Sequence, residues 1–384
     1  RWRRRAGRRV SARTIEYRPA LDGLRAYAVI AVVLFHAGAT SDLTRLAPGG
    51  FLGVSVFFTL SGYLVTTLLI RKSSMPTGLD LGRFWSRRLR RLARVSIVVV
   101  ATAVLRSSRF WPGMQWTDAA AGLFGYSNWN VILAGEDDLI RTIVGPLGPY
   151  WSLAVEEQFY VLLTVAVLVA WRTARPIRTL SIFVAIGWCA SLLVQVLVSG
   201  PQYRLEFGTD SRGSELLAGC GLAWLLHVRP TLTVRHARRL AVAGPLAAAL
   251  LVALALTTDY DPPWLLRGGY AAISLVSAVL VASLLVPTPL TRALATRPTV
   301  AVGRLSYSWY VVHWPVILIL TADRTGLDRW PLVGLKLVAS LSAAAVLHVA
   351  VEQPIRQQTW PTRVTVLLWL AVSGATTLLA VVLL

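Results

Sequence analysis

RAYAVIAVVLFHAG, residues 25–38, decides how this chain is read. Between its ends the stretch is apolar, yet Arg25 opens it and His36 stands near its close. Apolar runs of about 17–25 residues, the length that crosses a bilayer, recur along all 384 residues. Hydrophobic residues make up 55% of the chain and charged residues 15%. Charge that sparse, gathered between apolar runs, excludes a soluble multidomain protein. The runs do not alternate, which excludes a β-barrel. The expected fold is all-α, a polytopic transmembrane helical bundle of about eleven spans.

The net charge of +21 would suggest nucleic acid in a soluble chain. Here the positive residues occupy short loops, where they hold those loops on the cytoplasmic side and can meet anionic lipid headgroups. The two cysteines, Cys189 and Cys220, lie in apolar runs without partner spacing and support neither a disulfide framework nor a zinc site. No signal peptide precedes the first span. The chain starts at Arg1 rather than Met and is expected to be a slice of a longer protein.

Residues 1–18 read as a basic cytoplasmic tail, 19–358 as the membrane domain and 359–384 as a final span. Expected spans fall near 24–39, 51–70, 95–105, 151–170, 180–198, 213–226, 240–256, 269–286, 303–320, 332–351 and 364–384. Residues 106–150, with their Gly, Pro and Trp and the acidic run 136–138, read as a surface or re-entrant segment. The N-terminus is then cytoplasmic and the last span ends outside, where an extracellular domain has room to follow.

Polar residues inside these spans are costly unless they face a cavity or a partner. Arg25 and His36 are eleven residues apart, which returns to nearly the same helix face about 16 Å further on. Asp22 lies three residues before Arg25 and can pair with it. His36 therefore reads either as a functional group or as a packing histidine bonded to a neighbouring helix. In RRLRR, residues 87–91, Arg88 and Arg91 share a face and form a phosphate clamp or simply mark topology. Glu156 and Glu157 point about 100° apart, so one faces a given cavity while the other is free to pair with an arginine. A carboxylate beside His36 would fix its tautomer. Asp210, Arg212 and Glu215 suit a mutual ion-pair cluster or substrate contact. His313, ahead of Pro315, reads as packed or catalytic, and Glu352 with Arg356 as a structural or cofactor-side pair. No metal-ligand cluster, phosphate loop, nucleophile elbow or dinucleotide fingerprint occurs.

Taken in order, RPALDGLRAYAVIAVVLFHAG, GGFLGVSVFFTLSGYLV, FWSRRLRRLAR, WSLAVEEQFY, TDSRGSELLAG, RLSYSWYVVHWPV and VEQP resemble the acyltransferase-3 family of multi-pass O-acyltransferases. They extend from Arg18 to Pro354. The resemblance implies an acyl-CoA donor, acetyl-CoA by family habit, and a hydroxyl acceptor on a cell-surface glycan, glycolipid or related sugar. No metal is implied. It places His36 as base or acyl carrier, with Glu156 or Glu157 orienting it. Arg25, Arg88 and Arg91 fall on the CoA side, and Trp151, Ser152, Arg212, Glu215 and His313 on the substrate side. Two positions depart from the family pattern. Ser55 stands where an aspartate is usual, and Arg94 where a proline is common. The expected location is the cell membrane. A transporter is the rival reading, because buried charges along one path also suit a substrate route. A non-catalytic anchor is a second.

Overall fold

The computed structural model describes residues 17–73, 80–260, 262–358 and 360–384. Within them all regular structure is helical. Eleven helices of fourteen residues or more follow in order: α1 Pro19–Ala39, α2 Gly53–Ser73, α3 Leu81–Phe110, α4 Tyr150–Trp171, α5 Pro176–Leu197, α6 Thr209–Val228, α7 Ala237–Thr257, α8 Tyr270–Ser283, α9 Arg297–Ile319, α10 Arg329–Leu347 and α11 Thr362–Leu383. Each overlaps one expected span. The basic tail at 1–16 lies outside the described residues.

Eight of these helices, α8 only together with the π turn Leu265–Gly269 before it, are long and apolar enough to cross a bilayer by length and composition. The exceptions are α3, α6 and α9, and their sequences explain why. Arginines crowd the first half of α3. Asp210, Arg212 and Glu215 lie on α6, and Arg297 and Arg304 on α9. On α6 every residue from Ser211 to Cys220 is buried, and on α9 every residue from Ser308 to Pro315. A helix covered on all sides has protein rather than lipid for a neighbour, so its polar groups find partners.

Around these centres α1 packs against α9 and α2, α2 against α6, α6 against α5 and α8, α9 against α10, and α3 against α11. Small residues set the closest approaches. A Cβ on Gly62 of α2 would be driven into the carbonyl oxygen of Leu216, and one on Gly219 of α6 into that of Thr59. The α2–α6 crossing is thus a backbone-to-backbone contact with no room for a methyl group. Gly62→Ala is expected to destabilise the bundle by about 1–3 kcal/mol, the usual cost of overpacking. Thermal unfolding of the detergent-purified variant checks this, and a melt matching the native one contradicts it.

Residues 106–150 contain two short helices, Trp116–Phe124 and Ser127–Ala134, and a π turn at Ile140–Val144. None is long enough to span. Arg141 ties the segment together by donating to Asp118 at 2.5 Å and Asp138 at 3.2 Å. The Phe124 ring meets Trp369 of α11 at 5.7 Å.

Candidate active site

The site is built where α1, α2, α3, α4 and α9 converge. A cavity there is lined by Arg25, Ser61, Arg88, Ser152, Glu156 and Tyr310 among others. Arg25 reaches it from the start of α1, where its guanidinium donates to Asp22 at 2.9 Å. Arg88 comes from α3, and its guanidinium carbon sits over the Tyr160 ring, 3.3 Å from the centroid. The Tyr160 hydroxyl donates to Glu156 at 3.0 Å and also pairs with Ser61. Two guanidiniums and several hydroxyls give this end of the cavity a donor-rich wall, with the carboxylates of Asp22 and Glu156 beside them. The side chain of Arg91 lies outside the described residues.

Farther along the lining, the hydroxyls of Ser152 and Tyr310 share a 2.6 Å hydrogen bond. Tyr310 also donates to the carbonyl of Pro149 at 3.2 Å, and Trp314 to that of Gly145 at 2.8 Å. As α9 advances its partners move back along the other strand of chain, so α4 and α9 run antiparallel. One turn beyond Tyr310 stands His313.

His313 is the ring partner of His36. Nδ1 of His36 lies 2.8 Å from Nε2 of His313, and Nδ1 of His313 lies 2.6 Å from the carbonyl oxygen of Tyr310. A carbonyl oxygen only accepts, so His313 carries its proton on Nδ1. Neutral His313 then accepts at Nε2, which makes His36 the donor through Nδ1. Nε2 of His36 is left with a bare lone pair, the form a general base requires. The tautomers are assigned by this network. Trp314 closes on the His36 ring at 4.7 Å and Phe35 at 5.1 Å. His36 itself is only half-buried.

Among the described residues the His36 ring bonds His313 rather than Glu156 or Glu157, which were expected to orient it. Glu156 belongs to the Arg88 end of the cavity, and Glu157 turns its carboxylate toward Gly125. The antiparallel geometry is the reason. Each step past Ser152 on α4 leads away from the level of His313, at about 1.5 Å per residue. The two glutamates do diverge as adjacent helical residues must, with Glu156 alone lining the cavity.

Arg212 and Glu215, expected on the substrate side, form a closed pair instead. Nε of Arg212 donates at 2.5 Å and Nη2 at 3.3 Å to the Glu215 carboxylate, with side chains 2% and 0% exposed. The Tyr270 ring covers the guanidinium at 3.7 Å and Trp151 at 5.2 Å. Asp210 pairs with Arg204 at 2.6 Å. The pair buttresses the wall behind Trp151 and does not face the cavity. Glu352 accepts from Ser308 at 2.8 Å and lies 2.8 Å from His348 Nδ1, while the Arg356 side chain lies outside the described residues. Of the two departures from the family pattern, Ser55 is fully buried with no hydrogen bond to its hydroxyl among the described residues. Arg94 donates to the carbonyl of Glu352 at 3.2 Å.

Sequence reasoning missed Lys336. It is buried on α10, and its ammonium donates to the carbonyl of Thr40 at 2.6 Å, to its hydroxyl at 2.9 Å and to Ser41 at 2.8 Å. A cation is favoured at a helix C-terminus, so Lys336 fixes the end of α1 one turn beyond His36. A lysine inside an apolar run was the available signal. No group of three or more His, Cys, Asp or Glu residues suits a metal ion among the described residues.

A bonded histidine pair and an arginine-walled cavity thus stand in one bundle of apolar helices. The family model described as an acyltransferase domain, Acyl_transf_3, matches residues 18–384, and the chain belongs to that acyltransferase-3 family. It is 33% identical over 316 residues to "O-acetyltransferase OatA" of Staphylococcus aureus, covering 80% of this chain and 51% of the relative. It is 31% identical over 355 residues to "Peptidoglycan O-acetyltransferase OatA" of Listeria monocytogenes, covering 89% and 56%. The chain thus spans about half the length of these curated relatives. No solved structure matches it.

Proposed function

We propose that this chain is a membrane O-acyltransferase that moves an acyl group, in the simplest case acetyl, from acyl-CoA to a hydroxyl of a cell-wall glycan. The observation that carries the reading is the relay from the Tyr310 carbonyl through His313 to His36, which leaves Nε2 of His36 as a base. Family membership and the names of the relatives support the reaction class and the glycan acceptor.

The donor enters at the Arg25 and Arg88 end, where CoA phosphates meet the guanidiniums. By the positive-inside rule that end faces the cytoplasm. The acyl arm extends along the cavity past Ser152 and Tyr310. His36 Nε2 takes the proton of the acceptor hydroxyl, and the oxygen attacks the thioester carbonyl carbon. Collapse of the tetrahedral intermediate breaks the C–S bond. The CoA thiolate leaves and takes back the proton that His36 holds, so the histidine ends as it began. His313 stabilises the charged ring that forms midway. His36 acts here as a base rather than as an acyl carrier.

The test uses purified protein in liposomes with acetyl-CoA and a solubilised envelope glycan, following free CoA thiol and labelled glycan. Acceptor-dependent release with label on the glycan supports the reading. Label accumulating inside the liposome without thiol release would instead indicate transport. For the donor site, Arg88→Gln is expected to raise the acyl-CoA KM about tenfold, the loss of one charge-assisted contact, with kcat near native. An unchanged KM would remove Arg88 from the donor site.

A further inference from the structure

Beside His36 lies an aromatic surface that the reaction scheme above does not use. Phe35 of α1, Phe51 of the turn Gly50–Leu52 and Tyr260, which follows α7, pack pairwise. Ring centroids are 5.4 Å apart for Phe35–Phe51, 5.8 Å for Phe35–Tyr260 and 5.3 Å for Phe51–Tyr260. Phe35 and Tyr260 are stacked, with their planes 18° apart. Phe35 backs the Tyr260 ring and also touches His36. Tyr260 remains 41% exposed, and its face turned away from the stacked Phe35 ring lies within two ring contacts of the base.

An interfacial tyrosine of the usual kind turns its hydroxyl outward to water and headgroups. Tyr260 does the opposite. Its hydroxyl bonds the carboxylate of Glu206, a buried residue. The Glu206 carbonyl in turn accepts from Arg212 at 3.1 Å. The ring is therefore fixed in orientation from the protein side. A fixed aromatic face flanked by a phenol, a carboxylate and a histidine matches a pyranose. Its C–H face packs on the ring while hydroxyls at its edge reach the polar groups.

We propose that Phe35, Phe51 and Tyr260 form the acceptor platform, which stacks one pyranose ring on Tyr260 and presents its hydroxyl to His36. This deepens the acyl-transfer reading and rests on it. Tyr260 is the specificity-determining residue. Phe35 is a positioning residue that holds both the platform and the histidine.

The experiment uses the full chain in nanodiscs with chitotetraose as the probe, measured two ways. Acetyl transfer gives kcat and KM for acceptor and donor. Saturation-transfer NMR reports binding without any reaction. Tyr260→Ala is expected to raise the acceptor KM about tenfold, as loss of a stacking contact would, with kcat and the acetyl-CoA KM near native. Its saturation-transfer signal on the sugar C–H protons should disappear. Tyr260→Phe, which keeps the ring, should retain most of both. Trp330→Ala, an exposed aromatic elsewhere on the surface, should change neither. An acceptor KM equal to native in Tyr260→Ala overturns the proposal, as does an equal rise in Trp330→Ala. If native protein transfers nothing, the acyl-transfer reading fails and the binding arm still decides the platform. A signal lost only in Tyr260→Ala supports it; one unchanged in that variant, or absent from native protein, overturns it. Tyr260→Leu serves as the second variant should the alanine protein not be monodisperse.

Discussion

His36→Ala is expected to lose acyl transfer by about 10²–10⁴-fold, the usual contribution of a general base, while reaching the membrane in native amount. The reason is geometric. Among the groups that touch it, His36 alone has a ring nitrogen freed by the direction of its hydrogen bonds. His313→Ala is expected to lose less, about 10²-fold, at the low end of the same range, because His36 remains but its tautomer is no longer held. His313→Gln should recover part of that loss, since an amide can accept from His36 and donate toward the Tyr310 carbonyl. A packing role for His313 predicts no such recovery. Steady-state rates of the three variants, with thermal melts to confirm folding, make the comparison. Near-normal transfer by His36→Ala would move the chemistry elsewhere.

Arg212→Ala is expected to cost about 3–5 kcal/mol of stability, because it leaves the Glu215 carboxylate buried without a counter-charge. Glu215→Ala should cost as much for the mirror reason. Replacing both together, as Arg212→Met with Glu215→Leu, should cost far less than either alanine change, since no lone charge is stranded. Unfolding in graded denaturing detergent gives the three values. A double variant as unstable as the sum of the two single changes would show that the pair does more than neutralise itself.

The distribution of what could be read from residues alone follows the range of the interactions. The eight apolar helices were visible because hydropathy is local. Asp22–Arg25 was visible as an i,i+3 pair, and His348–Glu352 could have been, as i,i+4. The His36–His313 bond joins residues 277 apart, and no periodicity within either helix signals it. Where Glu156 and Glu157 stand relative to His36 was not legible for a related reason. Their distance from His36 depends on how α4 runs against α9, which is a property of packing. The Arg212–Glu215 pair was visible as one of two readings, and its burial, set by α2, α5 and α8 around α6, decides between them.

The sealing of α6 and α9 inside the bundle also bears on how the protein is made. A charged residue costs about 2.5–3.5 kcal/mol at the centre of a lone inserting helix, so α6 is a poor candidate to enter lipid unaided. By the time it leaves the ribosome, α2 and α5 have already emerged, and they supply its Gly62 crossing and its Ser191 and Gln195 hydrogen bonds. The same holds for α9, whose long contact with α1 awaits it. Chain order places part of each wall before the charged centre arrives, α2 and α5 for α6 and α1 for α9, while α8 and α10 close around them afterwards.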